Sequence, residues 1–181
     1  MENHYLFLDF ETEGLEIPTD AILEVGFVLT ADDPADVKAT GQFLCDIGRR
    51  PRLNSFVEKM HTDNGLLRDL ESGQALPLHS IEQAICAIVD SFKDGRVRLA
   101  GSGVDFDRRQ IRQHMPNLDA RLDYQLMDTS QIRRFLSDIC GIELSAPSHE
   151  FLQLISHRAF DDAEQARHEL LWYRDLMGSL S

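Results

Sequence analysis

The chain has 181 residues, 43% hydrophobic and 27% charged, a composition that supports one apolar core and excludes a disordered or low-complexity polypeptide. Its formal net charge of −13 excludes binding to long nucleic acid through a basic surface, because a polyanion would be repelled. On composition, either no nucleic acid is bound, or a few nucleotides are bound through divalent cations that invert the local charge.

The longest apolar runs, Ala21–Leu23 and Val25–Leu29, fall far short of the roughly 20 residues a membrane span requires. The N-terminus (MENH) has no basic segment leading into an apolar one, so no secretory signal is expected. Cys45, Cys86 and Cys140 are odd in number, far apart and without a Cys-x-x-Cys pair. Neither a disulfide framework nor a zinc site is expected; each reads as a small buried hydrophobe in a reducing cytoplasm.

Tyr5–Phe10 reads as a buried strand, apolar until Asp9. Ala21–Thr30 (AILEVGFVLT) is a second strand and Thr40–Ile47 (TGQFLCDI) a third, joined across ADDPAD as a hairpin. From Ser55 the pattern turns helical. Ile81, Ile85, Ile88, Val89 and Phe92 mark an amphipathic helix with Gly95 as its C-terminal residue. Val97–Ala100 is a short fourth strand, followed by GSG and a helix from about Asp105 to His114, ended by Pro116. Tyr124–Met127 is a fifth strand. Thr129 to about Ile139 forms a helix closed by Cys140 and Gly141, and a last helix runs from about Asp161 to Met177. On that last helix Ala163, Ala166, Leu170, Tyr173 and Met177 share one face. This order, without repeat or linker, predicts a single domain over residues 1–181, of α/β class, with a mixed five-stranded sheet flanked by helices.

Three acidic pieces carry the chemistry. Asp9 and Glu11 end an apolar strand two residues apart, so both project from one face while Phe10 points into the opposite layer. Such like charges are costly without a cation, although a frayed strand end with two solvated acids is the bland alternative. In GSGVDFDRR (residues 101–109) a Gly-rich turn enters a helix, placing Asp107 in the first turn, with Asp105 as competing candidate or helix cap. In HRAFDD (157–162) Asp162 lies near a helix start, Asp161 is a candidate cap, and His157 lies on the approaching loop. An imidazole there can take a proton from an attacking water, although His149 and His168 are nearby alternatives. Four carboxylates without thiolates suit two Mg²⁺ or Mn²⁺ ions, the arrangement used for in-line phosphodiester cleavage.

These residues resemble the DEDDh exonucleases of the RNase H-like fold, and among them the oligoribonucleases, over nearly the whole chain. DFETEGL from Asp9 resembles the first exonuclease motif, ILEV from Ile22 the strand that follows, and HTDNGL from His61 a segment typical of oligoribonucleases. DRR from Asp107 resembles the second motif, and His157 to Asp162 has the spacing of the third. The resemblance implies an RNase H-like sheet and a metal-dependent 3′→5′ exonuclease releasing nucleoside 5′-monophosphates from short single-stranded RNA or DNA. Asp9, Glu11, Asp107 and Asp162 would be the metal ligands and His157 the general base. It further implies substrate-binding roles for Thr12, Leu15, Phe56, His61 and Tyr124. Leu15 and Phe56 would form an apolar wedge against terminal bases, where the family usually has Trp at the second position; core packing is the alternative for Phe56. Tyr124 would reach the site of a second subunit, implying a homodimer, unless it is an ordinary strand residue.

The sequence also departs from the family pattern. Relatives cap a dinucleotide's 5′-phosphate with a serine and an arginine where this chain has Gly103 and Gln125, which removes a charge-assisted contact. Glu13 stands where a neutral residue is common, adding negative charge close to where the 3′ end would sit. Two basic clusters, Arg49, Arg50 and Arg52, and Arg108, Arg109 and Arg112, are solvated surface by default or a path for a few phosphates. The competing functions are a DNA exonuclease of the proofreading or repair type, and a catalytically silent binding module.

Overall fold

In a computed structural model, which describes residues 2–92, 95–144 and 156–179, five strands form one mixed sheet. The strands are β1 (Glu2–Thr12), β2 (Ile22–Thr30), β3 (Val37–Leu44), β4 (Gly95–Gly101) and β5 (Leu122–Asp128), ordered β3-β2-β1-β4-β5. β1 pairs antiparallel with β2 and parallel with β4; β2 and β3 form the expected antiparallel hairpin, and β5 runs parallel to β4. Every residue of β2 is buried, as a near-continuous apolar run covered on both faces requires.

The alternation of β1 sorts the two layers. Leu6, Leu8 and Phe10 join the larger core with Val25, Phe27, Ile81, Ile85 and Ile111. This layer holds α3 (Leu78–Asp90), α4 (Asp105–His114) and α5 (Pro116–Asp119). Tyr5 and Phe7 face the other way, onto α7 (Ala159–Ser179), through Ala163, Ala166 and Leu170. The small alanines let the long helix lie close to the strands. α1 (Ser55–Asp63) begins where Asn54 Oδ1 accepts the N–H groups of Phe56 and Val57, both at 3.0 Å, and is followed by α2 (Leu66–Leu70).

Several expected boundaries move. β1 is longer than Tyr5–Phe10 because neighbours on both sides supply partners from Glu2 to Thr12. β3 starts at Val37 and ends at Leu44; Cys45 still donates to Leu23 O on β2 at 2.9 Å but also forms a parallel bridge with Leu76. α3 stops at Asp90, Phe92 folds back onto the core, and Gly95 opens β4 instead of closing a helix. Pro116 does not end α4, which already breaks at Met115; it opens α5, where its missing N–H costs nothing. The Thr129–Ile139 helix divides into α6 (Thr129–Arg134) and a π-helical turn (Phe135–Ile139). α7 begins two residues before Asp161, and Met177 is 48% exposed, off the buried face. Cys45 and Cys86 are buried thiols, but Cys140 is exposed, contrary to the reading of it as a buried hydrophobe. Among the described residues no helix is long and apolar enough to cross a membrane.

Candidate active site

Asp9 and Glu11 face the α7 layer, as the strand alternation requires, and Asp162 comes down on them from the first turn of α7. One carboxylate oxygen from each lies within 4.8 Å of the other two. Gly26 makes this approach possible. It is the register partner of Asp9 on β2, and a Cβ there would lie 2.1 Å from Phe160 N and 2.2 Å from Ala159 C. The start of α7 therefore rests directly on bare backbone.

Asp107 joins from the other layer. It is buried in the first turn of α4, and its carboxyl is favoured as an anion by its own N–H and that of Phe10. Asp105, the competing candidate, is exposed and paired with Arg109 at 3.4 Å. The four acids are mutually unfavourable. Burial, then Asp107, Asp162 and Glu11, push Asp9 well above the usual carboxylate range. Burial and the neighbouring acids Asp162 and Glu24 push Glu11 up to about 8. Burial also raises Asp107 to about 8 and Asp162 to about 6, with His157 pulling the latter back. Arg158, which pulls Glu11 back down, is already committed to Glu24 and Asp69. Hard oxygen donors crowded without a cation of their own are a set that fits divalent Mg²⁺ or Mn²⁺.

His157 is exposed and has φ 49°, a left-handed conformation that a side chain adopts only where its surroundings impose it. Those surroundings are explicit. Asn64 Nδ2 donates to the His157 carbonyl oxygen. The next residue, Arg158, donates to Glu24 through Nε (3.0 Å) and Nη2 (2.6 Å), and to Asp69 through Nη1 (2.9 Å). Glu24 is 0% exposed and also accepts from Ala159 N at 3.0 Å and Gln42 Nε2 at 2.9 Å. Glu24, Arg158 and Gly26 were not singled out as site residues from the sequence. The signals were present: a glutamate and a glycine inside an otherwise apolar buried strand. Of the alternative histidines, His149 lies outside the described residues, and His168 lies along α7, 3.6 Å from Glu164. Asp161 accepts a hydrogen bond from Ser156 Oγ, a support to the approach segment rather than to the cluster.

A groove of about 670 Å³ runs from Glu11 and Thr12 past Leu15 to Phe56 and Met60. Phe56 and Met60 also line an adjoining cleft of about 560 Å³ that ends at His157. Leu15 is 77% and Phe56 76% exposed, so neither is core, and both line the groove. Thr12 lines the groove, with its hydroxyl donating to Gly14 O at 2.7 Å. His61 differs from the expectation of direct substrate contact because it is fully buried. Its Nε2 lies 3.3 Å from the Thr12 carbonyl and its Nδ1 3.9 Å from Glu11 Oε2, so it braces the end of β1 from beneath. Tyr124 is 78% exposed on the edge strand β5.

Glu13 does not present a free charge to the groove. Burial alone would raise its pKa, but hydrogen bonds from Arg49 and from the N–H groups of Ala21 and Arg52 hold it at about 2. In the second basic cluster Arg108 is buried and pairs with Asp119 at 2.9 Å, Arg112 meets the same carboxylate at 3.7 Å, and Arg109 is held by Asp105. Arg108 is therefore structural, while the side chains of Arg109 and Arg112 are solvated surface, the default reading.

Residues 6–170 match the exonuclease family of the RNase T type. The oligoribonuclease of Corynebacterium diphtheriae is 31% identical, with 93% of this chain and 80% of that protein covered. A probable oligoribonuclease of Drosophila melanogaster is 28% identical, with 96% and 82% covered. In solved structures, E. coli exonuclease I bound to a 5cy-dT13 oligonucleotide shares the fold with a TM-score of 0.68 at 15% identity. The alignment covers 93% of this chain and 40% of that one, so the chain spans well under half of exonuclease I. With the acids assembled on a matching five-stranded fold, the chain belongs to the exonuclease family that includes the oligoribonucleases.

Proposed function

We propose that residues 1–181 act as one 3′→5′ exonuclease domain, cytoplasmic, that releases nucleoside 5′-monophosphates from short single-stranded oligonucleotides, RNA before DNA. The observation that carries this reading is the convergence of Asp9, Glu11 and Asp162 within 4.8 Å, with Asp107 beside them, at one end of the groove flanked by Leu15 and Phe56.

Asp9, Glu11, Asp107 and Asp162 would hold a pair of Mg²⁺ or Mn²⁺ ions. When bound, the ions would neutralise the carboxylates, acidify the attacking water and offset charge gathering on the phosphate. The terminal base would stack against Phe56 and Leu15, a contact that every base can make, which suits a nuclease indifferent to sequence. His157, on the exposed approach to α7, takes the proton of the attacking water. The new bond forms between that water oxygen and phosphorus, the bond from phosphorus to the preceding nucleotide's 3′-oxygen breaks, and that oxygen takes a proton from solvent to leave as a 3′-hydroxyl. A short acidic chain surface suits a few nucleotides better than a long strand.

At the positions where relatives cap a dinucleotide's 5′-phosphate, Gly103 has φ 74° with open space where a side chain would be, and Gln125 is exposed. Neither supplies a cation. These two positions therefore offer a longer substrate no charge that would measure its length. Exposed Tyr124, Leu126, Phe135 and Ile139, on β5 and the elements after it, support assembly as a homodimer.

A time course on 5′-labelled RNA and DNA of two to twenty nucleotides, with Mg²⁺, Mn²⁺ or chelator, tests the reading. Ladders shortening from the 3′ end, faster on RNA and abolished by chelator, are expected. Internal cuts, shortening from the 5′ end, or no cleavage under any condition would refute it.

A further inference from the structure

Glu13 is two residues past the ligand Glu11, yet its carboxylate is turned away from the cluster and buried under the segment that precedes α1. It accepts from Arg49 Nη1 and Nη2 at 2.5 and 2.6 Å, from Ala21 N at 3.0 Å and from Arg52 N at 2.5 Å. One side chain thus ties three points of the chain, residues 21, 49 and 52, to the end of β1. Charge-assisted bonds of this kind are roughly twice as strong as neutral ones and fix geometry as well as energy.

The two arginines it holds are used differently. The guanidinium of Arg49 is committed, to Glu13 and to the Arg50 carbonyl at 3.0 Å. Arg52 gives Glu13 only its backbone N–H. Its side chain is exposed, forms no ion pair among the described residues, and is the one cation among the residues lining the 670 Å³ groove. Glu16 and Asp20 line the same groove, and the Asp20 carboxylate accepts Glu16 N–H at 2.9 Å. In a chain of net charge −13, most arginines and lysines are spent on neighbouring acids. The Arg52 guanidinium is unspent, and the backbone that carries it is anchored to Glu13 beside a groove that starts at Glu11.

We infer that Arg52 contacts a phosphate oxygen of the oligonucleotide in this groove, and that the Glu13–Arg49 pair is the device that positions it. The inference deepens the proposed function and rests on it. A planar guanidinium matches a phosphodiester's two free oxygens, and Arg52 would restore one local attraction on an otherwise repelling surface. Glu13 then has a purpose its charge alone would not suggest: neutralised by Arg49, it costs the substrate little and anchors the backbone from which the Arg52 side chain reaches the groove.

The test is equilibrium binding of 5′-fluorescein-labelled pentaadenylate by fluorescence anisotropy, with Ca²⁺ in place of Mg²⁺ so that turnover does not interfere. Arg52→Ala is expected to weaken binding about five- to tenfold and to lower the slope of log Kd against log salt by about one, with Arg52→Lys recovering part of the loss. With an all-methylphosphonate pentamer, which carries no phosphate charge, wild type and Arg52→Ala should bind alike. Glu13→Gln should weaken binding of the charged pentamer, and adding Arg52→Ala to it should cost little more, since both act through one contact. If Glu13→Gln does not fold, the Arg52 comparisons decide alone. Equal affinity of wild type and Arg52→Ala for the charged pentamer, or an equal loss on the methylphosphonate, overturns the assignment while leaving the nuclease intact. A wild-type protein that neither binds nor degrades the pentamer overturns the proposed function, and this inference with it.

Discussion

Gly26 sits directly across from Asp9 in the β1–β2 register, and the N-terminus of α7 occupies the space its side chain would take. The strand that carries one pair of acids and the helix that carries Asp162 meet at this glycine. Gly26→Ala forces backbone to move, because the new Cβ would be 2.1 Å from Phe160 N. Overpacking of this kind costs about 1–3 kcal/mol, and shifting Asp162 by about 1 Å is enough to lose roughly a hundredfold in rate. The expected outcome is a folded protein with a lower urea midpoint and kcat down by about two orders of magnitude. Wild-type kcat in a Gly26→Ala protein would show that the close approach does not matter.

Arg158 is the counterpart of Gly26 on the loop side, where it locks the backbone that presents His157. Glu24 is fully buried, and removing its cation would leave an uncompensated charge, a change that costs about 3–5 kcal/mol when one partner of a buried pair is deleted. Arg158→Met should destabilise by an amount in that range in urea denaturation. Glu24→Gln added to it should restore part, because the orphaned charge is gone. If the double variant is no more stable than the single one, the ion pair is not what holds the segment.

Much of this site was legible in the sequence. The period-2 alternation through Asp9, Phe10 and Glu11 placed both acids on one face and Phe10 in the opposite core, as observed. Helix position alone does not separate Asp107 from Asp105, since both lie in a first helical turn; the motif resemblance selects Asp107, and burial of Asp107 and pairing of Asp105 with Arg109 agree with it. Glu13 was misleading, because its partners Arg49 and Arg52 are close only in space. The π-helical turn at Phe135–Ile139 has the same apolar spacing as the α-helix before it, so periodicity does not announce it.

The raised carboxyl groups fix how stability depends on pH. Glu11 goes from 4.5 to about 8, Asp107 from 3.8 to about 8 and Asp162 from 3.8 to about 6, so the folded state binds more protons than the unfolded one between about pH 4 and 8. Their contribution is fully present below the unfolded values and is lost as pH rises toward the folded ones. Glu13, shifted the opposite way to about 2, acts only below this window. Without metal, the melting temperature should fall across pH 5 to 8 from these groups. Mn²⁺ should raise it, more at pH 8 than at pH 5, because the ions bind the deprotonated acids. Asp9→Asn and Asp162→Asn should each abolish Mn²⁺-dependent cleavage, shrink that metal-induced shift and leave the metal-free fold intact. Calorimetry showing the same Mn²⁺ shift in both variants would rule out this ligand set.

His157 lies outside the acid cluster, and its removal leaves the four carboxylates in place. His157→Ala is therefore expected to lower kcat by about 10²–10⁴-fold, the usual contribution of a general base, with the Mn²⁺ stabilisation kept. The acidic limb of the pH–rate profile should change shape in the variant. An unaltered profile with an unaltered rate would assign the proton to another acceptor.

Phe56 has three-quarters of its surface open to solvent and lines the groove that starts at Glu11, so its ring is free to be covered by another planar group. Base–aromatic stacking supplies such a cover at roughly 1–3 kcal/mol per base. Phe56→Ala removes that partner without opening a cavity, since little of the side chain is packed. Thermal stability should stay near the wild-type value, while KM for a pentanucleotide rises by about five- to a hundredfold and kcat changes less. Phe56→Trp, with a larger stacking face, should lower KM below the wild-type value. The loss in Phe56→Ala should be much the same for adenine and uracil at the 3′ end, because stacking needs only a planar ring. If KM in Phe56→Ala matches wild type for both bases, the exposed ring does not touch the substrate, and the groove wall beside Glu11 must hold the terminal nucleotide by other groups.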